Sequence, residues 1–419
     1  MIALPTPGPL FNPLVDRPPL SPLVILAGPF GLAAFLPLVP LILLLGRRYR
    51  RAALIGGSLC WLLPTVGGPT TVILLGGLAA GVAWIAALSA LRRRGTLGPR
   101  AMIALVWLGL HVLVLPLWWQ AQHGWYPSRM AVLHNVGFSY FLLRLVGWGV
   151  ELARQPATPL RLLDTICWLL YPPAMRLGPV LRHHEFMQRL DEWDPRRPAW
   201  RDGLKRFGWF VLGVLGLGLT MGSLERLLGH RAADFFGRPQ DWATAQLTAV
   251  FYLVPIQVYL LLWTYNELAV ALSLWVGLRV DDNFHRLPLA TSVRDFWHRW
   301  HITVGRWLRD YIYIPLGGNR RHATLNVAVV FVYIGLWHGA SWSFLAWGLS
   351  QAAALAVQRA WDGLRRRRGW AGPTGRAWTV LCWLLTLHYQ AATILVFCDF
   401  DHCGWRFFSE LAARLTVGS

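Results

Sequence analysis

The chain has 419 residues, of which 55% are hydrophobic and only 14% are charged. Soluble domains carry about 25% charged residues, so this composition excludes an ordinary soluble protein and a disordered one. Only five cysteines over this length exclude a disulfide-stapled secreted scaffold. Such a chain belongs in a lipid bilayer, where about ten spans of roughly 20 residues each would use nearly all of it.

The net charge is +20, and the arginines are clustered between long apolar runs. The clusters lie at residues 47–51, 92–100, 182–205 and 365–368. Short basic clusters between apolar segments are typical of cytoplasmic loops that follow the positive-inside rule. The charge therefore favours a multi-pass membrane protein and gives no support to a nucleic-acid partner.

In chain order, residues 1–22 are rich in proline and predict an irregular N-terminal leader. This leader lacks the basic start and the small-residue cleavage site of a signal peptide. Residues 23–161 predict N-terminal transmembrane helices, and the arginine clusters place the amino terminus outside the cell. The apolar runs in this region are 23–46, 52–66, 71–91, 101–119 and 130–150.

Residues 162–399 predict the core of the protein. The run 162–179 is short and is interrupted by Tyr171-Pro172-Pro173, which favours a re-entrant or tilted half-helix. Two polar segments, 182–206 and 279–322, predict cytoplasmic loops, and the second has the mixed aromatic and charged composition of an interfacial amphipathic helix. The remaining apolar runs are 207–228, 245–278, 323–339, 342–360 and 377–398, and a C-terminal tail is predicted at 400–419.

These elements predict an all-α polytopic membrane protein of about 9–11 transmembrane helices, with re-entrant and interfacial amphipathic helices. Polar residues inside apolar runs are costly, and they are therefore candidates for function. His338 lies in the apolar run 323–339, with glycines at 335 and 339. The alternative interpretation of His338 is a hydrogen-bonded core histidine.

His298 and His301 are three residues apart, which predicts that they share one helical face. An interfacial aromatic belt explains this pair, and so would a metal site, although no acidic or cysteine partner stands at helical spacing. Cys398 and Cys403 leave three alternatives open: a metal cluster, a disulfide or an interfacial helix end.

Four arginines near the glycine turn 317–319 could hold the phosphates of a nucleotide-type donor, because guanidinium groups and free backbone amides bind phosphate well. They are Arg306, Arg309, Arg320 and Arg321. Positive-inside anchoring explains the same arginines. The chain has neither a P-loop ending nor a nucleophile elbow, so it supports no P-loop nucleotide site and no serine nucleophile.

Three segments carry a specific resemblance to a known family: Asp295 to Thr303, Arg306 to Arg320, and Gly335 to Ala340. Together they closely resemble the signature of the membrane-bound O-acyltransferase family, in its bacterial alginate O-acetylation branch. Two further elements, Gly178-Pro179-Val180-Leu181-Arg182 and Asn283-Phe284-His285-Arg286, resemble motifs of the same family. The likeness is dense from residue 170 to residue 349.

The resemblance implies a multi-helix bundle with a polar tunnel, in which His338 is the catalytic residue and His301 is its partner. It implies acyl transfer from acyl-CoA, as acetyl-CoA, to a hydroxyl of an extracytoplasmic polysaccharide at a bacterial inner membrane. The expected partners are the lipid bilayer, the donor and a periplasmic acyl-transfer protein, with no bound cofactor, no metal and no nucleic acid. Substrate contacts are expected at Trp297, Arg306, Arg309, Asn319, Arg320, Trp337 and Trp263.

The chain departs from the family pattern at several positions, among them Leu261, Trp263, Gln351 and Cys398. Trp263 stands where relatives carry a small residue, and its indole should narrow a tunnel beside it. These departures leave two alternatives open. The first is acyl transfer to a small hydroxylated metabolite or lipid, and the second is a non-enzymatic transporter or scaffold with a decayed site.

Overall fold

The computed structural model describes residues 35–46, 48–66, 68–123, 138–175, 178–194, 196–228, 238–339, 341–398 and 404–417. In these ranges the chain forms helices and connections and no β strand. The all-α class predicted from the sequence is therefore confirmed. The predicted leader at residues 1–22 lies outside the described ranges, as does the start of the first apolar run.

The described α-helices are numbered in chain order. They are α1 (Leu38–Gly46), α2 (Arg50–Val66), α3 (Gly68–Arg93), α4 (Pro99–His123), α5 (Phe138–Arg154), α6 (Leu162–Leu169), α7 (His183–Asp191), α8 (Trp200–Leu228), α9 (Thr244–Val276), α10 (Val293–Arg299), α11 (Ile302–Leu308), α12 (Ala323–His338), α13 (Trp342–Arg367), α14 (Arg376–Cys398) and α15 (Trp405–Val417). Short 3₁₀ turns lie at Pro172–Ala174, Pro239–Asp241 and Leu287–Leu289, and a π-helical turn lies at Arg309–Tyr313.

Four of the described helices are long and apolar enough to cross a membrane. Their spanning segments are Thr71–Arg93 in α3, Trp200–Leu228, Thr244–Val276 and Arg376–Cys398, and two shorter apolar segments are Pro99–Leu113 and Ala323–His338. Because a helix rises about 1.5 Å per residue, about 20 residues cross a hydrocarbon core of about 30 Å. The chain is a polytopic membrane protein, and the larger number of spans stays a prediction.

The longest helix is α9, which continues through Pro255 for 33 residues. Proline removes one backbone hydrogen bond, a loss that membrane helices tolerate better than helices in water. The sequence left open whether the run 245–278 forms one helical piece or two. The structure shows one continuous helix.

Three segments that were predicted as cytoplasmic loops or as a C-terminal tail contain helices, and an amphipathic helix was part of the prediction for 279–322. The polar segment 182–206 contains α7 and the first turns of α8, and the segment 279–322 contains α10, α11 and the π-helical turn. The predicted tail at 400–419 contains α15. The predicted break in the run 162–179 is confirmed, because α6 ends at Leu169 and a separate 3₁₀ turn follows at Pro172.

The chain divides into two compact units, and the division falls inside α8 and α9. The C-terminal unit contains the described residues of 214–261 and 284–419, and the N-terminal unit contains those of 21–213 and 262–283. The three histidines singled out by the sequence, His298, His301 and His338, belong to the C-terminal unit.

Two glycines bring α12 and α13 together in the C-terminal unit. A Cβ atom at Gly335 would lie 2.5 Å from the Phe344 carbonyl oxygen, and one at Gly348 would lie 2.4 Å from the Phe331 carbonyl oxygen. No larger residue fits at either position without moving backbone. Small residues at helix crossings allow such close approach in membrane proteins. This crossing sets the position of the end of α12, where His338 lies.

Candidate active site

His338 is the last residue of α12, and it is half-buried. Four aromatic rings from α12, α13 and α14 contact its imidazole, with ring centroids 4.8 to 5.9 Å away. They are Trp337, Phe344, Trp347 and Phe397. Such rings limit the access of water to the imidazole and hold its plane. The consecutive helices α12 and α13 and the later helix α14 therefore shape the surroundings of His338.

His301 lies in the turn between α10 and α11 with a backbone φ of 44°. A left-handed conformation at a residue other than glycine costs about 1 to 3 kcal/mol, and it persists only where the surrounding structure enforces it. The imidazole packs against Phe284 and Trp300, with centroids 5.2 and 5.5 Å away. Residues held in this way are concentrated at functional sites.

The His301 ring nitrogen Nδ1 is buried and has no hydrogen-bond partner among the described residues. Burial lowers the pKa of His301 to about 4, so the imidazole is neutral near pH 7. A buried polar atom without a partner is uncommon in folded proteins. His301 therefore offers an unused hydrogen-bonding atom to a bound molecule.

Arg299 holds the turn that carries His301. Its Nε atom donates to Asp295 Oδ1 at 2.7 Å, and its Nη1 atom donates to the Arg286 carbonyl oxygen at 3.3 Å. Its own carbonyl oxygen accepts from the His285 amide at 3.1 Å. The motifs around residues 285 and 299 are thus joined directly, and these contacts stabilise the unfavourable backbone at His301.

The prediction that His298 and His301 share one helical face was wrong. The α10 helix ends at Arg299, Trp300 is extended, and His301 is left-handed before α11 begins. His298 is exposed, whereas the His301 ring is packed among aromatic side chains. Spacing in sequence cannot reveal a helix that breaks between the two residues, so the geometry on which a two-histidine metal site was considered does not form.

A continuous series of ring contacts, here called the aromatic path, connects the two histidines within the C-terminal unit. Successive ring centroids along it are 5.5 to 5.9 Å apart. Its members, in order, are His301, Trp300, Phe296, Trp297, Trp347 and His338. The histidines thus belong to one packed cluster, although 37 positions separate them in the sequence.

Trp297 is fixed in the aromatic path by a partly buried hydrogen bond. Its Nε1 atom donates to Gln351 Oε1 at 3.1 Å, and Gln351 Nε2 donates to Thr393 Oγ1 at 2.9 Å. Gln390 adds weaker contacts at 3.4 Å to the same Gln351 amide. Gln351 was noted in the sequence only as a departure from the family pattern. Its location as an amide inside an apolar run was the signal for a structural or functional role.

The residues predicted to hold donor phosphates are exposed, and they include residues that are already paired within the chain. Arg309 forms a two-pronged ion pair with Asp310 at 2.7 and 3.3 Å. Asn319 Oδ1 accepts from the Tyr313 hydroxyl at 2.8 Å and from Arg359. Arg306 and Arg320 are exposed on α11 and on the turn before α12. Phosphate binding by this group stays a prediction, and it would require Arg309 to exchange its carboxylate partner.

Trp263 belongs to the N-terminal unit, in the second half of α9. Its ring contacts Trp209 of α8 with centroids 6.1 Å apart, and its side chain hydrogen-bonds to Glu267. Glu267 is buried and pairs with Arg206 at 3.1 Å, and Arg206 also contacts Asp282 at 2.7 Å. Trp263 therefore borders an ion network, and its predicted narrowing of a tunnel stays a prediction.

A model of the membrane-bound O-acyltransferase family matches residues 100–398, which include the whole aromatic path. The chain belongs to this family. The resemblance read from the motifs is confirmed. Membership accounts for the multi-pass, all-helical character of the chain.

Several curated proteins are similar to this chain. The "Probable alginate O-acetylase" of Azotobacter vinelandii is 31% identical over 234 residues, 55% of this chain and 45% of that protein. A peptidoglycan O-acetyltransferase of Helicobacter pylori is 31% identical over 238 residues, 54% of this chain and 42% of that protein. A teichoic acid D-alanyltransferase of Streptococcus thermophilus is 26% identical over 271 residues, 61% of this chain and 64% of that protein. The alignments with the two acetylating relatives span less than half of each relative's length.

Proposed function

We propose that this chain is an acyltransferase that moves an acetyl group from a thioester donor, acetyl-CoA, to a hydroxyl of an extracytoplasmic glycan. The observation that carries this proposal is the aromatic path, which gathers His301 and His338 into one packed cluster. Two relatives are named for acetyl transfer to alginate and to peptidoglycan, which supports a glycan acceptor.

In the proposed reaction His338 is the general base. A ring nitrogen accepts the proton of the acceptor hydroxyl while the hydroxyl oxygen attacks the carbonyl carbon of the thioester. The carbon–sulfur bond then breaks, and the thiolate of CoA takes the proton from the imidazolium. Proton transfer by a positioned side chain contributes about 100- to 10,000-fold in rate.

His301 is proposed to position the donor. Its neutral imidazole has a buried Nδ1 atom without a partner, which can hydrogen-bond to a polar atom of the thioester substrate. A neutral ring is suited to this role because no charge has to be desolvated when the substrate binds. His301 would also assist the movement of the proton that His338 accepts.

The arrangement of charge supports a reaction across the bilayer of a bacterial inner membrane. The clusters around Arg48, Arg94, Arg154, Arg196 and Arg366 would all be cytoplasmic, by the positive-inside rule. The donor would then enter from the cytosol, and the acceptor or a periplasmic acyl-transfer partner would approach from outside. The bilayer, the donor and this partner are the proposed contacts of the protein.

A second candidate is transfer to a small hydroxylated metabolite or lipid, and the large side chain of Trp263 favours it. The acyl group is also open to test, because one relative is named as a teichoic acid D-alanyltransferase. The third hypothesis, a non-enzymatic transporter or scaffold, predicts no transfer at all. The same assay separates all three.

The test is transfer of radiolabel from acetyl-CoA by the full chain in proteoliposomes. Acceptors would be alginate oligosaccharides, peptidoglycan fragments and glycerol-based lipids, with protein-free liposomes as the control. Label in an oligosaccharide is the expected result. Label only in a lipid or small alcohol would move the assignment to the second candidate, and the absence of acceptor-dependent label from folded protein would overturn the proposal.

A further inference from the structure

Three buried side chains in the N-terminal unit form a group that the proposed reaction does not use, here called the Arg144 cluster. They are Arg144 and Trp148 of α5 and His183 of α7, with exposed fractions of 2%, 3% and 7%. Arg144 and Trp148 are one helical turn apart, so they project from the same face of α5. All three surround the indole of Trp168.

The side chains of the Arg144 cluster are closely packed. The Arg144 guanidinium carbon lies 4.7 Å from the centre of the Trp168 ring, which is the geometry of a cation–π contact. The His183 ring lies 5.3 Å from Trp148 and 5.2 Å from Trp168. Trp168 itself is satisfied, because its Nε1 atom donates to the Leu181 carbonyl oxygen at 2.9 Å.

The Arg144 cluster has more hydrogen-bonding atoms than it has hydrogen-bond partners among the described residues. Arg144 uses Nη1 to donate to the Leu169 carbonyl oxygen at 3.2 Å, but its Nε and Nη2 atoms have no partner among the described residues. The Trp148 Nε1 and His183 Nε2 atoms are also buried without a described partner. Arginine and tryptophan can only donate hydrogen bonds, so at least three of these four atoms require an acceptor.

The charge of Arg144 also lacks compensation. The two acidic residues nearest to Arg144 along the chain are Glu151 and Asp164, and both are engaged elsewhere. Glu151 accepts from His184 Nδ1 at 3.0 Å, and Asp164 is held by Arg51. Burial lowers the pKa of His183 to about 4, so it adds no charge near pH 7. A buried ion is strongly destabilising unless a counter-charge accompanies it. A water molecule can accept hydrogen bonds but cannot neutralise a guanidinium.

We infer that the Arg144 cluster is a binding site for an anionic group with one negative charge, held by Arg144, Trp148 and His183. A phosphodiester carries one negative charge at neutral pH and presents several acceptor oxygens, so a phospholipid headgroup fits the donors. A small inorganic anion has the same chemistry. The site would bind a lipid or an ion as a fixed structural component, separate from the acyl donor and its acceptor.

The test measures the melting temperature of the full chain, purified in detergent and freed of lipid. In one arm sodium chloride or sodium phosphate is titrated against sodium gluconate at equal ionic strength. In the other arm dioleoylphosphatidylglycerol is compared with dioleoylglycerol, which lacks the phosphate. A ligand that binds only the folded state raises the melting temperature as its concentration increases, and a rise of a few degrees is expected in at least one arm. The arm that responds identifies the source of the anion.

The matched variants are Arg144→Met and Arg154→Gln, both on α5. Arg154 is exposed at the end of the helix, so Arg154→Gln should keep the anion-dependent rise, whereas Arg144→Met should lose it. If Arg144→Met does not fold, Trp148→Phe should shift the midpoint of the titration several-fold to higher concentration, because one donor is lost.

Two results would overturn the inference. One is a wild-type melting temperature that responds in neither arm. The other is an Arg144→Met protein that is more stable than wild type at every anion concentration, because removal of an uncompensated buried charge from an empty site should stabilise the fold.

Discussion

The aromatic path contains no carboxylate, whereas the ion network of the N-terminal unit joins one guanidinium to two carboxylates. His301 and His338 are surrounded by rings, and His301 keeps a buried nitrogen without a described partner. Arg206, in contrast, is paired with Glu267 and Asp282. Both regions place polar groups inside a membrane protein. The His301 nitrogen has no described hydrogen-bond partner, whereas the charges of the ion network are paired.

This difference separates chemistry from architecture. Burial keeps the His301 imidazole neutral near pH 7, and a nearby carboxylate would instead favour its charged form. An ion pair that is already satisfied has little capacity to bind a substrate, and its main effect is on stability. Substitutions in the aromatic path should therefore change the rate of transfer, and substitutions in the ion network should change the stability of the fold.

The largest of the expected effects is that of His301→Ala on the rate of acetyl transfer. Loss of the positioned imidazole should lower the rate of acetyl transfer by about 100-fold or more, while the melting temperature changes little. His298→Ala is the matched control, because His298 lies three residues away and is exposed. Equal rate losses in the two variants would show that the turn, and not the His301 ring, is what matters.

The second effect concerns the ion network. Arg206→Met leaves the buried Glu267 carboxylate without its guanidinium partner, and it should reduce the free energy of unfolding by about 2 kcal/mol. The double variant Arg206→Met with Glu267→Met should recover most of that loss, because neither charge remains buried. Thermal unfolding in detergent measures both, and a double variant that is less stable than the single one would contradict the account.

A third effect, on substrate preference, is expected for Trp263→Ser. If Trp263 lines a substrate passage, its removal should shift the preference among acetyl, butyryl and octanoyl donors by about 1 to 3 kcal/mol. Trp209→Ser is the control, because Trp209 contacts Trp263 but is exposed at 44%. An unchanged order of donor preference in Trp263→Ser would remove this residue from the substrate site.

The smallest effect is expected for Gln351→Leu. Trp297 then loses its hydrogen-bond acceptor, a contribution of about 1 kcal/mol, so the rate of transfer should fall about fivefold. The same substitution at Gln358, also in α13, removes an acceptor from the Arg294 amide and should leave the rate unchanged. The rate of transfer of both variants is measured at saturating donor. A lower rate for Gln358→Leu than for Gln351→Leu would contradict this prediction.

Much of the fold follows from hydropathy. The predicted run 323–339 corresponds to α12, which ends at His338, and the long run 245–278 corresponds to α9. The predicted run 342–360 ended early, because α13 continues to Arg367. Hydropathy marks only the apolar part of a helix, and the leucine and the three arginines at 364–367 beyond it are good helix formers.

Less of the site could be predicted, because contacts between distant segments have no local signal. The rings around His338 come from three helices, and no window of sequence contains them. The left-handed backbone at His301 was equally hidden, since His301 sits in a motif that reads as a continuous helix. A signal did exist for α15, where Phe407 and Leu411 are four residues apart, and for Arg144, a charge inside an apolar run.

The central claim, that His338 is the base, is tested most directly by the turnover of acetyl-CoA in His338→Ala beside His388→Ala. His388 is a second histidine of the C-terminal unit, and its ring nitrogen Nε2 lies 3.0 Å from the Tyr252 hydroxyl. His338→Ala should lose at least about 100-fold in kcat with an unchanged melting temperature, and His388→Ala should stay within a few-fold of wild type. Turnover by folded His338→Ala within a few-fold of wild type would contradict the assignment.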